Sequence, residues 1–555
     1  MRGKLLRTLE PATTRLRKSV KRTFSVLIGR NMSSPVASST TWLLHAVLGR
    51  RTTTRLLQSV QGEAGELRAR ARLQAYLART TTPQNRDVWR RRHQDTRSRL
   101  GLLRDGYPLP PASRPPARSS GSPHTLMYLH NSLPFFSGGY ATRSHGVLSA
   151  VRNAGYHPSA VTRLGFPWDL PQRDDPPPSD LSHPEEIDGI SYHRLWTDGK
   201  DRYALPLKQY LDASADALEA FLSTRPCGLI HAASFASTCG LPAAMVARRL
   251  GLPFVYEVRG LAYLTHMSRN PRWAGSDEDH LDRRLEAEAA GAADAVFAIT
   301  EAVKDELVGM GVDRRKIHVL PNCVNADRFV PSGRDAELER DLGLQDTVVI
   351  GYIGGFVDYE GLDERIRAFA QLRGRTSTRV KLLMVGDGPL AETLRRMTHA
   401  LHIEDDVLFT GRVPHEEVAR YYSLVDVAPF PRVALPVCEA VSPIKPFEAM
   451  AMEKTVVVSS VRALTEIVRD DETGLVFDKG SVDSLASVLQ RAVADRALRR
   501  HLGTAAREWT LEHRTWQAAS LTVREVYDRL LGDRPEVAVK PGSATQAAGA
   551  EAVSR

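Results

Sequence analysis

Short apolar runs separated by amphipathic segments dominate the chain from residue 125 onward. The runs 125–130, 229–232, 254–258, 295–300 and 317–320 have the length and composition of buried strands. Between them, 207–222 sets Leu207, Tyr210, Leu211, Leu218, Phe221 and Leu222 on one helical face, with the small Ser214 the only polar residue in the stripe. Strands alternating with helices predict an α/β fold with a mostly parallel, doubly wound sheet. The pattern pauses over the polar stretch 325–344 and restarts with 348–353, 380–385, 407–410, 426–430, 456–459 and 474–477. That is a second α/β unit of similar size. Two such units face to face create a cleft, and doubly wound sheets bind ligands at the carboxyl ends of their strands.

The flanks read differently. Residues 1–105 lack strand alternation, and 62–103 is rich in Arg, Ala, Leu and Gln, which predicts loosely packed helices. The Pro, Ser and Arg-rich run 108–123 follows as a linker. The predicted organisation is a basic helical extension (1–122), a first Rossmann-like unit (123–325), a second (326–510), a closing helix (511–534) and a disordered Ala, Gly, Ser and Val-rich tail (535–555).

Charge sharpens this division. The first 120 residues hold 25 Lys and Arg against 6 Asp and Glu, a net +19, whereas the remainder is −9. Basicity belongs to the arm and not to the body. An arm of this charge suits an anionic membrane surface, where each Lys or Arg contributes on the order of 1 kcal/mol; a solvated or partner-binding helix fits equally. Its few aromatics disfavour nucleic acid. Four scattered cysteines, Cys227, Cys239, Cys323 and Cys438, suggest neither a zinc site nor a disulfide scaffold. No apolar run approaches the roughly 18 residues of a spanning helix or the h-region of a cleavable signal. A cytoplasmic protein, peripheral at most to the membrane, is the expectation.

The candidate chemistry lies in glycine turns. The strand ending at His130 leads through Ser137, Gly138 and Gly139 into a helix, and bare glycine backbone lets a diphosphate reach the free amides of a helix N-terminus. Gly351, Gly354 and Gly355 repeat the arrangement at the matching place in the second unit, and a Gly386 loop and the stretch Gly411, Arg412, Val413, Pro414 follow two later strands. In 442–451, Ile444, Lys445 and the amides opening a helix can meet phosphate, while Glu448 can accept from ribose hydroxyls. An amphipathic helix with a solvated Lys and Glu would read the same way. Asp277, Glu278 and Asp279 follow Ser276 and open a helix, so capping and the helix dipole account for them without a metal.

In combination and order, these motifs resemble the family-4 retaining glycosyltransferases over residues 125–531. The resemblance implies the GT-B fold and transfer of a sugar from a nucleotide-diphosphate sugar to a glycan or lipid-linked acceptor, with retention and without metal or other cofactor. It places Gly139 against the diphosphate, Glu448 on the ribose, the backbone near Val413 on the base, and His231 as the active-site histidine. Arg259 would neutralise phosphate or form an ordinary ion pair, and the 515–527 helix would pack back on the first domain. The chain also departs from the pattern. An Arg and a Lys common after the second glycine loop are replaced by Phe356, Val357, Asp358, Tyr359 and Glu360, so Lys445, with Arg259 or Arg412, must supply their charge. Glu439 and Glu448 lie nine positions apart where the family has eight, which weakens Glu439 as a sugar contact. A sugar-nucleotide epimerase, a phosphorylase and a non-catalytic sugar-nucleotide binder are the rival readings.

Overall fold

The computed structural model describes residues 67–80, 83–111 and 123–532, apart from 171, 172, 174, 179, 199 and 200. The segment 1–66 and the tail 535–555 lie outside the described residues.

The first sheet contains β1 (His124–Leu129), β2 (His157–Thr162), β3 (Glu185–Ile187), β4 (Ile190–His193), β5 (Leu229–Ala233), β6 (Phe254–Val258), β7 (Ala295–Ala298) and β8 (Ile317–Val319), in the order β3-β4-β2-β1-β5-β6-β7-β8. All neighbours are parallel except β3 and β4. The second sheet is wholly parallel: β9 (Val348–Ile353), β10 (Val380–Val385), β11 (Val407–Gly411), β12 (Val427–Phe430), β13 (Thr455–Ser459) and β14 (Leu475–Phe477), in the order β11-β10-β9-β12-β13-β14. Both sheets are doubly wound, with β1 and β9 at the points where strand order reverses. A ligand crevice opens at such a point.

The unbroken apolar runs follow from burial on both faces. Leu126, Tyr128, Ile230, Ala232, Phe254 and Tyr256 point to one side of the first sheet, and Met127, Leu129, Leu229 and Val255 to the other. The helices Gly139–Asn153 and Trp516–Leu531 cover the second side, the latter inserting Ala519, Val523, Val526 and Tyr527 into that core. Gly146 makes room for this packing, since a Cβ there would lie 2.0 Å from the Trp516 ring. The chain reaches the first domain again through Val324 N–H donating to Arg514 O at 2.8 Å.

Three strands escape the apolar-run pattern. β2 begins with His157, Pro158 and Ser159, and β3 and β4 are short strands of a hairpin turned by Asp188 (φ 49°) and Gly189 (φ 72°). The helices Leu67–Thr80 and Pro83–Asp105 also differ from expectation, for they are docked and not loose. Leu67, Leu102 and Tyr107 join the first-domain core. The acidic start of the helix Asp277–Ala292 clasps them: Asp277 accepts from Leu67 N–H at 2.8 Å, and Glu278 pairs with Arg70 at 2.5 Å and Arg99 at 3.5 Å. Asp279 accepts from Gly275 N–H at 2.8 Å and pairs with Arg283, and Ser276 caps the helix. No helix among the described residues is long and apolar enough to cross a membrane.

Candidate active site

The carboxyl ends of β1 and β9 face one another across a cleft of about 560 Å³. From the first domain come Gly139 and Tyr140 and, behind them, Arg143 and Arg259; from the second come Gly354, Gly355, Glu360, Arg432, Ile444, Lys445 and Glu448. Cross-domain hydrogen bonds fix its floor: Thr300 Oγ1 donates to Ala440 O at 2.6 Å and Asn322 Nδ2 to Ser442 O at 2.7 Å. No side chain caps the helix Gly139–Asn153, whose N-cap is Gly138, so its first amides are free for a ligand. Both loops are closely packed, the first against the opposite lobe and the second against the lysine of its own lobe. A Cβ on Gly139 would stand 4.0 Å from Ile444 Cδ1, and one on Gly354 only 2.4 Å from Lys445 Cε, so any larger residue at 354 would displace the lysine.

Each lobe contributes a carboxylate held by two cations. In the first, Glu257 accepts from Arg143 Nε at 2.8 Å and from Arg259 Nη2 at 2.7 Å. Burial pushes its carboxyl up, but Arg259 and Arg143 outweigh burial and hold it at about 2. In the second, Glu360 meets Lys445 Nζ at 3.0 Å and Arg432 Nε at 3.8 Å, and Lys445 also donates to Tyr352 OH at 2.9 Å. Burial would lower the Lys445 ammonium; Glu360 and Tyr352 reverse this and raise it, so the ammonium stays charged. One positive charge per lobe is left over, the complement of a diphosphate. Glu360 stands in the loop where the family pattern carries cations, and Lys445 and Arg432 restore the sign.

Glu448, one turn into the helix Lys445–Ala451, is half-buried at the cleft wall. Its side chain accepts a single long hydrogen bond from Tyr422 OH, at 3.3 Å. Burial raises its carboxyl to about 7, with Lys445 opposing too weakly to prevent it. Such a carboxylate has acceptor capacity to spare for ligand hydroxyls.

The structure gathers Gly139, Gly354, Gly355, Arg259, Ile444, Lys445 and Glu448 into this cleft, and separates the other candidates from it. His231 is corrected from a cleft residue to an interior one. It is 1 % exposed in mid-β5, beneath the closing helix, with Nδ1 2.8 Å from Tyr527 OH and Nε2 3.6 Å from Glu257. Burial, helped by Arg259 and Arg143 and opposed by Glu257, lowers it to about 4, so it packs as a neutral ring. Glu439 is likewise corrected. It ends the short helix Pro436–Ala440 facing another cavity, pairs with Lys479 at 2.6 Å and accepts from Arg462 N–H at 2.8 Å. Arg412 points to solvent, with Asp387 4.0 Å away, and Val413 packs on the second core. Gly386 supports the site from behind, because a Cβ there would sit 2.0 Å from Gly354 O.

Arg143 and Arg432 are the cleft cations that sequence reasoning missed. Arg143 lies on the buried face of its helix beside Ala141, Ser144 and Val147, and a lone Arg in such a stripe is the signal. Arg432 follows β12 as Arg259 follows β6, just beyond the strand's carboxyl end. Among the described residues no cluster of His, Cys, Asp and Glu could hold a metal ion.

Two family models match the two lobes in turn. The Glycosyl transferase 4-like domain covers residues 138–323, and Glycosyl transferases group 1 covers 335–509. The chain belongs to the group 1 glycosyltransferases. This glycosyltransferase chain is 30 % identical over 238 residues to the GDP-mannose-dependent alpha-(1-6)-phosphatidylinositol monomannoside mannosyltransferase of Mycolicibacterium smegmatis, covering 42 % of this chain and 62 % of that protein. It is 28 % identical over 305 residues to the D-inositol 3-phosphate glycosyltransferase of Xylanimonas cellulosilytica, covering 52 % and 70 %. The match thus spans somewhat over half of the mannosyltransferase's length. In fold it resembles sucrose-phosphate synthase of Thermosynechococcus elongatus (TM-score 0.58, 24 % identity, 74 % of this chain and 99 % of that one). It also resembles Anabaena HepE in complex with UDP and glucose (0.56, 16 %, 73 % and 99 %). Both likenesses establish the GT-B fold. The helices 67–80 and 83–105 lie outside both family matches.

Proposed function

We propose that the protein transfers a sugar from a nucleotide-diphosphate sugar, held in the cleft, to an acceptor entering from the first domain. The observation that carries this reading is the pairing of glycine loops at the two switch points, each backed by a carboxylate with two cations. A diphosphate between Gly139 and Gly354–Gly355 would have Arg143 and Arg259 on one side and Lys445 and Arg432 on the other. Breaking the bond from the anomeric carbon to the diphosphate oxygen builds negative charge on that oxygen, where preorganised cations lower the barrier most. Glu448 holds the ribose, leaving the sugar toward the first lobe. Transfer proceeds with retention in this reading: the acceptor oxygen approaches from the face the diphosphate leaves, and a phosphate oxygen takes its proton. The relatives named above, which use GDP-mannose or act on inositol compounds, favour a polyol or glycan acceptor.

A thermal-shift screen of UDP- and GDP-sugars tests the donor site, since a ligand at about 100 times its Kd stabilises by roughly 2.7 kcal/mol. Product analysis with the stabilising donor then separates the alternatives. A new glycoside supports transfer; an epimerised or merely hydrolysed donor opposes it, and binding without any turnover favours a non-catalytic role.

A further inference from the structure

The carboxyl end of the first sheet does not stop at the donor cleft. His130, just beyond β1, donates its backbone N–H to the hydroxyl of the cleft residue Tyr140 at 2.9 Å, and its ring packs edge-on to Phe235 at 5.1 Å. On the far side of that pair a second depression of about 430 Å³ opens, containing Asp282, Glu286 and Thr238. It shares Arg99, Arg202, Ser237 and Thr238 with a third, of about 670 Å³, whose outer wall is the helix Pro83–Asp105. Together they form one groove running from the His130–Phe235 pair, which neighbours the cleft through the His130–Tyr140 hydrogen bond, to the helices 67–80 and 83–105.

The charge along this groove is uneven. Arg70 and Arg99 are spent on Glu278 and Asp95. Arg91 and Arg92 form no ion pair among the described residues, and Arg92 is held 4.8 Å over the Trp89 ring, which presents its guanidinium without neutralising it. Arg202 donates through Nη2 to Tyr203 OH and lies 4.5 Å over that ring; its one ion-pair neighbour among the described residues is Asp169 at 3.9 Å, a carboxylate already engaged by Arg163, and its Nε is buried without a hydrogen-bond partner. Its Nη1 lies 3.5 Å from His130 Nε2, and burial keeps that ring neutral by lowering its pKa well below the usual histidine value. In the depression beside His130 the groove turns acidic and aromatic: Asp282 Oδ2 lacks a hydrogen-bond partner, and the Phe235 ring is 37 % exposed. Carboxylates beside an exposed aromatic ring suit a polyol, and arginines whose charge is not matched one for one suit an anion.

We propose that this groove binds the acceptor, with hydroxyls of a sugar or other polyol near Asp282 and a phosphate or carboxylate at Arg91, Arg92 and Arg202. The helices 67–80 and 83–105 are then an acceptor-reading element added to the common fold. The proposal rests on the glycosyltransferase reading of the cleft. A phosphorylated lipid headgroup and a soluble sugar phosphate offer the same chemistry.

Calorimetric titration of the full chain with glucose 6-phosphate and glucose, with and without saturating donor nucleotide, tests it. A parallel arm uses phosphatidylcholine vesicles with and without phosphatidylinositol. The phosphorylated probe, in soluble or vesicle form, is expected to bind without displacing nucleotide, roughly tenfold more weakly in Arg91→Ala/Arg92→Ala, with recovery in Arg91→Lys/Arg92→Lys. Rising salt should weaken it. Both positions are exposed on one helix, and an unchanged melting temperature confirms that the variant is folded. Equal binding by variant and parent, or no binding of either phosphorylated probe by the parent, overturns the proposal. Failure of the parent to bind nucleotide instead refutes the donor cleft, and is read separately from the sugar phosphate titration.

Discussion

Replacing Glu448 with Gln should stabilise the empty protein and weaken its grip on nucleotide, opposite effects with one cause. The carboxyl sits half-buried with one 3.3 Å hydrogen bond, and its pKa rises from 4.5 to about 7. Between those values the folded protein keeps a proton that the unfolded chain has released, so stability falls as pH rises from 4.5 to about 7 and stays lowered above. A shift of this size has a ceiling of about 3.4 kcal/mol, and water in the open cleft screens it to roughly 1–2 kcal/mol. Gln keeps the shape and removes the charge, so Tm at pH 8 should rise by a few degrees and the pH slope should flatten. The same change deletes a charge-assisted contact to ribose hydroxyls worth roughly 1.5–3 kcal/mol, or about 10- to 150-fold in nucleotide Kd. Melting curves across pH and calorimetric nucleotide titration read both quantities. A variant that binds nucleotide as tightly as the parent refutes the ribose assignment, and one that melts lower at pH 8 refutes the electrostatic reasoning.

Lys445→Met leaves Glu360 with Arg432 at 3.8 Å as its remaining ion-pair partner and should destabilise by less than the roughly 3–5 kcal/mol of an unpaired buried charge in denaturant unfolding, much of it recovered in Lys445→Met/Glu360→Gln, while nucleotide affinity stays low in both. His231→Phe should leave nucleotide affinity unchanged. Because His231 is depressed from 6.5 to about 4, the parent loses stability as pH falls through that window, and the variant should lose less; weakened affinity with a normal melting curve would return His231 to the cleft. Glu439→Ala, which removes a partly exposed pair with Lys479, should cost under about 1 kcal/mol and spare nucleotide binding, as judged by melting and titration.

The two sheets were legible because strands covered on both faces must be apolar throughout, and that signal needs no knowledge of partners. β3 and β4, at the sheet's edge, lack it and announce themselves only through the Asp188–Gly189 turn. The backbone parts of the cleft were legible for a similar reason, since Gly139, Gly354 and Gly355 mark strand-to-helix turns locally. Side-chain direction was not. In β5, buried on both faces, nothing local tells whether His231 faces the cleft or the closing helix, and Tyr527, which decides it, is 296 residues away. Glu360 and Lys445 each look anomalous alone; only their 3.0 Å contact shows that one answers the other. The Asp277–Asp279 run reads as helix capping, and Asp279 and Ser276 bear that out, but Glu278 also anchors the helices 67–80 and 83–105.

The most direct test of the central claim is a crystal structure of the full chain soaked with the nucleotide sugar that stabilises it best. The diphosphate should lie between Gly139 and Gly354–Gly355, within reach of Arg259 and Lys445, with the ribose on Glu448 and the sugar toward the first lobe. A nucleotide bound elsewhere, or a diphosphate touching neither glycine loop, would contradict the account.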